Sequence, residues 1–248
     1  MEITSELAPE RDRRFGAALF ALASYGAFSI CFTASLVFLA GWRAMPPTAA
    51  LPAIVADVVL LLVFGLQHSV MARPAFKRAW TRIVPPRSER SVYVLASSIA
   101  LGALVVLWQP IDVMVWDLRG APRVVMHVAF ALASLLVLAS SFALDHFELF
   151  GLRQALAPLG WMRPSRDEFV ERGAYRWVRH PLQASLLLVS WVTPSMSLDH
   201  LVYAIGMTAY VVIGTALEER DLVRALGDRY RAYQARVGRF FPRIGGGA

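Results

Sequence analysis

Between Arg14 and Arg43 the chain carries no formal charge, and Phe15 to Ala40 is an unbroken run of 26 uncharged, mostly apolar residues. At about 1.5 Å of rise per helical residue, such a run exceeds the roughly 30 Å of a bilayer's hydrocarbon core. In lipid every backbone amide must be satisfied internally, so the run is predicted to be a transmembrane helix. The pattern recurs at Ala49–Val70, Val92–Trp108 and Val124–Leu144, and then as a closing pair, Leu182–Val192 and Leu201–Leu217. Apolar residues make up 57% of the chain, charged residues only 17%, and the mean hydropathy is +0.51, which excludes an ordinary soluble domain. The predicted fold is all-α: one polytopic integral membrane domain over 1–248 with five to six transmembrane helices.

The closing pair is unusual. Leu182–Val192 has 11 residues and covers about 16 Å as a helix, too little to cross alone. Thr193-Pro194-Ser195 is read as a turn, because a proline disfavours helix at the residue before it. Residues 175–219 are therefore expected to form a tight helical hairpin packed against the other spans. Beyond it Leu222, Leu226, Tyr230, Tyr233 and Val237 recur at helical spacing with arginines between them. That spacing predicts an amphipathic helix on the membrane surface or over a pocket. Residues 73–90 and 109–123 are read as loops.

The net charge of +7 is distributed in a telling way. Of the 25 basic residues, all but Arg43, Arg119 and Arg123 fall in segments expected on one side if the N-terminus is cytoplasmic. This is the positive-inside pattern of a cytoplasmic-membrane protein with both termini inside, and it suits anionic lipid rather than nucleic acid. The first apolar run is too long for a signal-peptide core, so no cleavable leader is expected. Cys31 is the single cysteine, which excludes an intrachain disulfide and a cysteine metal cluster. On this topology His68, Asp145, His146, Glu148, His180 and Glu218-Glu219 all fall at the inner ends of helices. Asp57 lies mid-span with no evident partner, and an acid there is a functional candidate by default.

The order Tyr175-Arg176-Trp177-Val178-Arg179-His180-Pro181-Leu182, two apolar runs, Glu218-Glu219-Arg220-Asp221-Leu222, then Gly227, Tyr230, Tyr233 and Phe241-Pro242 resembles the isoprenylcysteine carboxyl methyltransferase type of membrane methyltransferases, with which NnrU-like proteins are grouped. Gln67-His68-Ser69-Val70-Met71-Ala72-Arg73-Pro74 and His146-Phe147-Glu148-Leu149-Phe150-Gly151-Leu152 narrow the resemblance to the bacterial methanethiol S-methyltransferases. Where the wider group has Arg-His-Pro-x-Tyr-x-Gly, this chain has Gln183 for the tyrosine and Ser185 for the glycine. The glycine-rich loop of soluble, Rossmann-type methyltransferases is absent from the sequence.

The resemblance implies S-adenosyl-L-methionine bound by residues 175–242, with the helices of 15–174 on the substrate side. It also implies a bacterial inner-membrane enzyme that converts methanethiol to dimethyl sulfide, with hydrogen sulfide as a second acceptor. A site for that donor needs a positive group or helix N-terminus for the carboxylate and an acid for the ammonium. Arg179, His180 and the helix start at Pro181-Leu182 are candidates for the first, and Glu218 and Glu219 for the second. Tyr175, Tyr230 and Tyr233 are candidates to line the adenine. A thiol reacts as the thiolate, so a base helps. His146 is the first candidate, with Glu148 or His68 orienting it. No histidine pair has the spacing of a helical zinc site, and no metal is expected. The sequence points to no obligate protein partner. The rival functions are methylation of a larger lipid-like acceptor and a non-enzymatic NnrU-like transporter or accessory protein.

Overall fold

The computed structural model describes residues 3–164, 171 and 173–243, with side chains from Arg11 onward. Five helices among them are long and apolar enough to cross a membrane: α1 (Ile3–Leu39, its apolar part Arg11–Leu39), α2 (Ala50–Ala72), α4 (Pro86–Leu107), α5 (Ala121–Ala143) and α9 (Leu198–Leu226). Between and after them lie α3 (Pro74–Trp80), α6 (His146–Leu149), α7 (Leu152–Leu156), α8 (Pro181–Trp191) and α10 (Asp228–Arg236). The protein is an all-α polytopic membrane protein, with one small pair of strands.

Local chemistry explains the boundaries. Pro74, Pro86 and Pro181 each sit in the first turn of a helix, where a missing N–H costs nothing. The segment read as a basic loop at 73–90 therefore contains a short helix, because Arg73 is extended before Pro74. Asp145 adopts φ 70° and its carboxylate accepts from the Glu148 amide at 3.2 Å, so α5 stops and α6 starts with a cap.

The chain folds as two compact units. The first comprises Met1–Val37, Leu62–Leu107 and Leu144–Asp167. Here Ala18 and Ala21 present a flat surface of small residues to Leu152, Ala155 and Leu156. A second cluster joins Tyr93, Val94 and Phe150, with Tyr25, Phe28, Met71, Ala72 and Leu149 packed around it. Gly151 has φ +82°, and a Cβ there would lie 2.9 Å from the backbone nitrogen of Ser91. Only glycine allows this approach of the α7 segment to α4.

The second unit comprises Phe38–Leu61, Trp108–Ala143 and Glu168–Ala248. Within it α8 packs against α5 and α9. Strands β1 (Met114–Asp117) and β2 (Ser195–Ser197) pair antiparallel, Trp116 opposite Met196 and Asp117 opposite Ser195. The expected loop at 109–123 and turn at 193–195 are therefore joined by strand hydrogen bonds. Runs of four and three residues are too short for sequence alternation to reveal. Asp57 is fully buried and accepts from the Gln109 amide at 2.8 Å. This intramembrane acid thus holds the chain as it leaves α4. In the same unit, Asp199 accepts from Arg43 Nε at 2.7 Å and from the Trp108 indole at 3.2 Å, while His200 Nε2 donates to the Ser190 carbonyl at 3.0 Å.

The predicted amphipathic helix is divided. α9 runs on to Leu226, Gly227 breaks it with φ 58°, and α10 turns back. Its apolar stripe, Tyr230, Tyr233 and Val237, is buried against Leu222, Val223 and Leu226 rather than laid on lipid. The periodicity was real, but its apolar face is covered by the preceding turn of the same chain.

Candidate active site

In the second unit the Arg179-His180-Pro181 segment is tied to the C-terminal segment by backbone. Val178 pairs with Gly238 in a parallel bridge, Arg179 N donates to Gly238 O at 2.8 Å and His180 N to Arg239 O at 3.1 Å. A Cβ on Gly238 would fall 1.9 Å from the Phe241 carbonyl oxygen, so a glycine is required at this contact. The side chains meet on Glu219, which is buried. Its Oε1 accepts from Arg179 Nε at 2.7 Å and His180 Nε2 at 3.1 Å. Its Oε2 accepts from Gln234 Nε2 at 3.1 Å and Arg239 Nη2 at 2.8 Å. Arg179 also donates through Nη1 to the carbonyls of Gln234 and Val237. The Arg-His-Pro and Glu-Glu motifs are thus brought together, as the sequence led us to expect.

The two glutamates differ, however. All four ordinary acceptor directions of Glu219 are taken. The Glu218 side chain is 50% exposed, with Oε2 at 3.8 Å from His180 Nδ1. Glu218 is thus the more exposed carboxylate of this cluster, whereas Glu219 is buried in it. Pro181 is buried and Leu182 half-buried at the start of α8. Tyr233 donates its hydroxyl to the Tyr175 carbonyl at 2.6 Å. Burial first, and then Glu171, pushes the Tyr233 hydroxyl up to about 12. Burial followed by Glu218 raises Tyr175, and burial followed by Glu219 raises Tyr230. These rings stay neutral at any physiological pH. Gln234 and Arg239 were not singled out from the sequence, because a glutamine and an arginine on a strongly basic segment carry no distinguishing pattern.

In the first unit both predicted histidines are held by tyrosines. His68 in α2 has Nε2 at 2.7 Å from the Tyr93 hydroxyl and Nδ1 at 3.2 Å from Ser97 Oγ. His146, at the start of α6 and 4% exposed, has Nε2 at 2.8 Å from the Tyr25 hydroxyl. Its ring packs edge-on against Tyr25 and Phe150, at centroid distances of 5.6 and 4.8 Å. Tyr25 and Tyr93 both border the Phe150 cluster, so the two His–Tyr pairs share one aromatic neighbourhood. Glu148 is half-buried, and its carboxylate makes no hydrogen bond among the described residues. Asp145 is engaged as the α6 cap and by Arg153 Nη2 at 2.5 Å. Tyr25 and Tyr93 escaped sequence reading because each sits alone within an apolar run, far from its histidine.

Burial lowers the His146 pKa, with Asp145 partly opposing it, and burial lowers the His180 pKa, with Glu219 opposing it. Native His146 and His180 are therefore held neutral, while the unfolded chain protonates both below an ordinary value of about 6.5. The unfolded state then binds more protons, so stability rises with pH. This contribution is complete above the unfolded value and is lost as pH falls toward the folded ones. A thermal melt in detergent micelles should give a lower midpoint at pH 5.5 than at pH 7.5, and a flat or inverted dependence would contradict it.

The sequence profile of the NnrU protein family matches residues 58–242. The methanethiol S-methyltransferase of Mycobacterium tuberculosis is 43% identical over 240 residues, covering 93% of this chain and 97% of the relative. The Pseudomonas deceptionensis protein of the same name is 44% identical over 200 residues, 80% of this chain and 76% of the relative. Methanethiol S-methyltransferase 2 of Bradyrhizobium diazoefficiens is 39% identical over 237 residues, 93% and 92% of the two chains. No solved structure matches. With most of its length inside the family profile and nearly all of it aligned to these enzymes, the chain belongs to the NnrU family, among the methanethiol S-methyltransferases.

Proposed function

We propose that the protein is an S-adenosylmethionine-dependent S-methyltransferase that converts methanethiol to dimethyl sulfide in the bacterial inner membrane, with both ends of the chain cytoplasmic. The observation that carries this reading is the 43% identity to a methanethiol S-methyltransferase over nearly the whole of both chains. The side of the termini is supported by the clustering of 22 of the 25 basic residues in segments of one expected side.

The donor set of the second unit fits S-adenosylmethionine in its chemistry. Glu218, half exposed, offers a carboxylate for an ammonium, and the half-buried Tyr175 a neutral ring for an adenine, with the buried Tyr230 and Tyr233 supporting that corner and Tyr233 donating to the Tyr175 carbonyl. Arg179 and His180 are committed to Glu219, so their part is to hold the segment that carries Glu218 and the start of α8. When bound, the donor supplies an electrophilic methyl on a sulfonium. The chain supplies a base for the thiol proton, because an alkyl thiol is mostly protonated at neutral pH. His146 is neutral and therefore competent to accept a proton; His68 has both ring nitrogens engaged and is assigned a packing role.

The test is direct. Purified protein in nanodiscs, given S-adenosylmethionine and methanethiol, should release dimethyl sulfide detectable in the headspace by gas chromatography. Glu218→Gln should weaken calorimetric donor affinity roughly ten- to hundredfold, the equivalent of about 1.5–3 kcal/mol for a hydrogen bond to a charged group. Absence of dimethyl sulfide would overturn the activity; unchanged affinity in Glu218→Gln would overturn the donor assignment alone.

A further inference from the structure

The Tyr25 hydroxyl occupies His146 Nε2 at 2.8 Å, and that contact decides how a thiol proton can reach the histidine. His146 is 4% exposed, whereas Tyr25 is only half-buried on α1. A sulfur arriving at this place meets the tyrosine before the imidazole. The walls around Tyr25 are apolar: Phe28 and Phe150 lie at ring distances of 6.4 and 5.7 Å, with Met71 and Leu149 packed on the same cluster. Apolar surroundings of this kind suit a small alkyl thiol, and the Tyr25 oxygen is a polar handle for it.

We infer that Tyr25 is a further catalytic residue, carrying the proton from the acceptor thiol to His146 Nε2 inside an aromatic subsite for small, uncharged alkyl thiols. This rests on the S-methyltransferase reading above. The thiol proton passes to the Tyr25 oxygen as the Tyr25 proton passes to Nε2. The electron pair freed on the thiol sulfur forms the new carbon–sulfur bond, and the pair of the old sulfonium carbon–sulfur bond stays with the donor sulfur. Tyr25 ends the relay as a neutral tyrosine, and the neutral His146 imidazole is restored when the imidazolium gives up its proton to water.

The variant is Tyr25→Phe, which keeps the ring and deletes the hydroxyl. The turnover number with methanethiol at neutral pH should fall roughly 10²-fold, the lower range of acid–base contributions. The KM should change little, because the apolar walls remain. The loss should shrink at high pH, and also with a fluorinated alkyl thiol that is already ionised at neutral pH. A purely structural defect would not be repaired by a more acidic thiol. A second readout needs no turnover: in protein carrying ¹⁵N-histidine, the His146 Nε2 resonance, assigned through His146→Gln, should shift in Tyr25→Phe. Full activity with a wild-type pH profile, or an equal loss with both thiols, would overturn the role of Tyr25. An unmoved Nε2 resonance would overturn the contact itself. Wild-type protein that methylates no thiol would instead overturn the S-methyltransferase reading, which the same assay shows separately.

Discussion

Replacing His146 with alanine will lower thiol methylation by roughly 10²–10⁴-fold, the usual worth of a positioned acid–base group, while leaving affinity for the methyl donor near that of the wild type. The expectation follows from where the ring stands. It is buried yet neutral, because desolvation lowers its pKa, and its Nε2 meets a tyrosine hydroxyl. The candidate donor-binding side chains belong to the other unit of the fold, which the substitution leaves chemically intact. Because more thiol ionises unaided as pH rises, the loss should narrow toward alkaline pH. His146 also packs against Phe150 and Phe147, so a truncation opens a cavity, and His146→Gln serves as the volume-conserving partner. The pH–rate profiles of both variants under saturating donor are the measurement. A loss of constant size across the pH range would assign His146 to substrate positioning, and retained activity in both would remove it from the mechanism.

Glu219→Ala will cost the protein about 3–5 kcal/mol, the typical result of removing one partner from a buried ion pair. That is a large share of the 5–15 kcal/mol by which folded domains are commonly stable. The substitution strips the shared acceptor from Arg179, whose side chain is 9% exposed, and from His180, Gln234 and Arg239 together. The consequence should be local before it is global: α10 and the strand-like contact of Gly238 with Val178 depend on the same hub. Limited proteolysis should cut between residues 228 and 243 in the variant and spare the wild type. Glu218→Ala should leave the folding free energy within about 0.5 kcal/mol of wild type, as changes at exposed positions usually do. Equal melting of the two alanine variants would refute the division of labour between the adjacent acids.

The membrane helices were legible because a bilayer imposes a length and a composition, and each predicted long span returns as a helix, although α4 starts six residues before Val92 and α9 runs nine residues beyond Leu217. The pairing of Arg179-His180 with the Glu-Glu sequence was legible as a motif. What the motif concealed was its internal division. Neighbouring residues on a helix point about 100° apart, so only one of Glu218 and Glu219 can face the arginine. Which one does so is settled by packing with α10, not by local sequence. The partners of the histidines were illegible for another reason. Tyr25 and Tyr93 stand 121 and 25 residues from His146 and His68, and a tyrosine in an apolar span reads as ordinary core. The strand pair was hidden by its shortness, and the C-terminal corner by the fact that an apolar stripe does not say what will cover it.

The 11-residue α8 has a bearing on how the chain enters its membrane. A segment that spans about half the hydrocarbon thickness contributes too few apolar side chains to partition into lipid by itself. α8 must therefore be inserted together with the 29-residue α9, as one re-entering unit stabilised by the protein already in place. Beyond Val192, whose amide still bonds to the Leu188 carbonyl, the backbone leaves the helix, and lipid supplies no partners for the groups that follow. The pairing of Ser195–Ser197 with Met114–Asp117 satisfies part of that need from a stretch synthesised some eighty residues earlier. The order of synthesis is thereby also an order of competence: the receiving strand and the α5 surface exist before the short helix that requires them arrives.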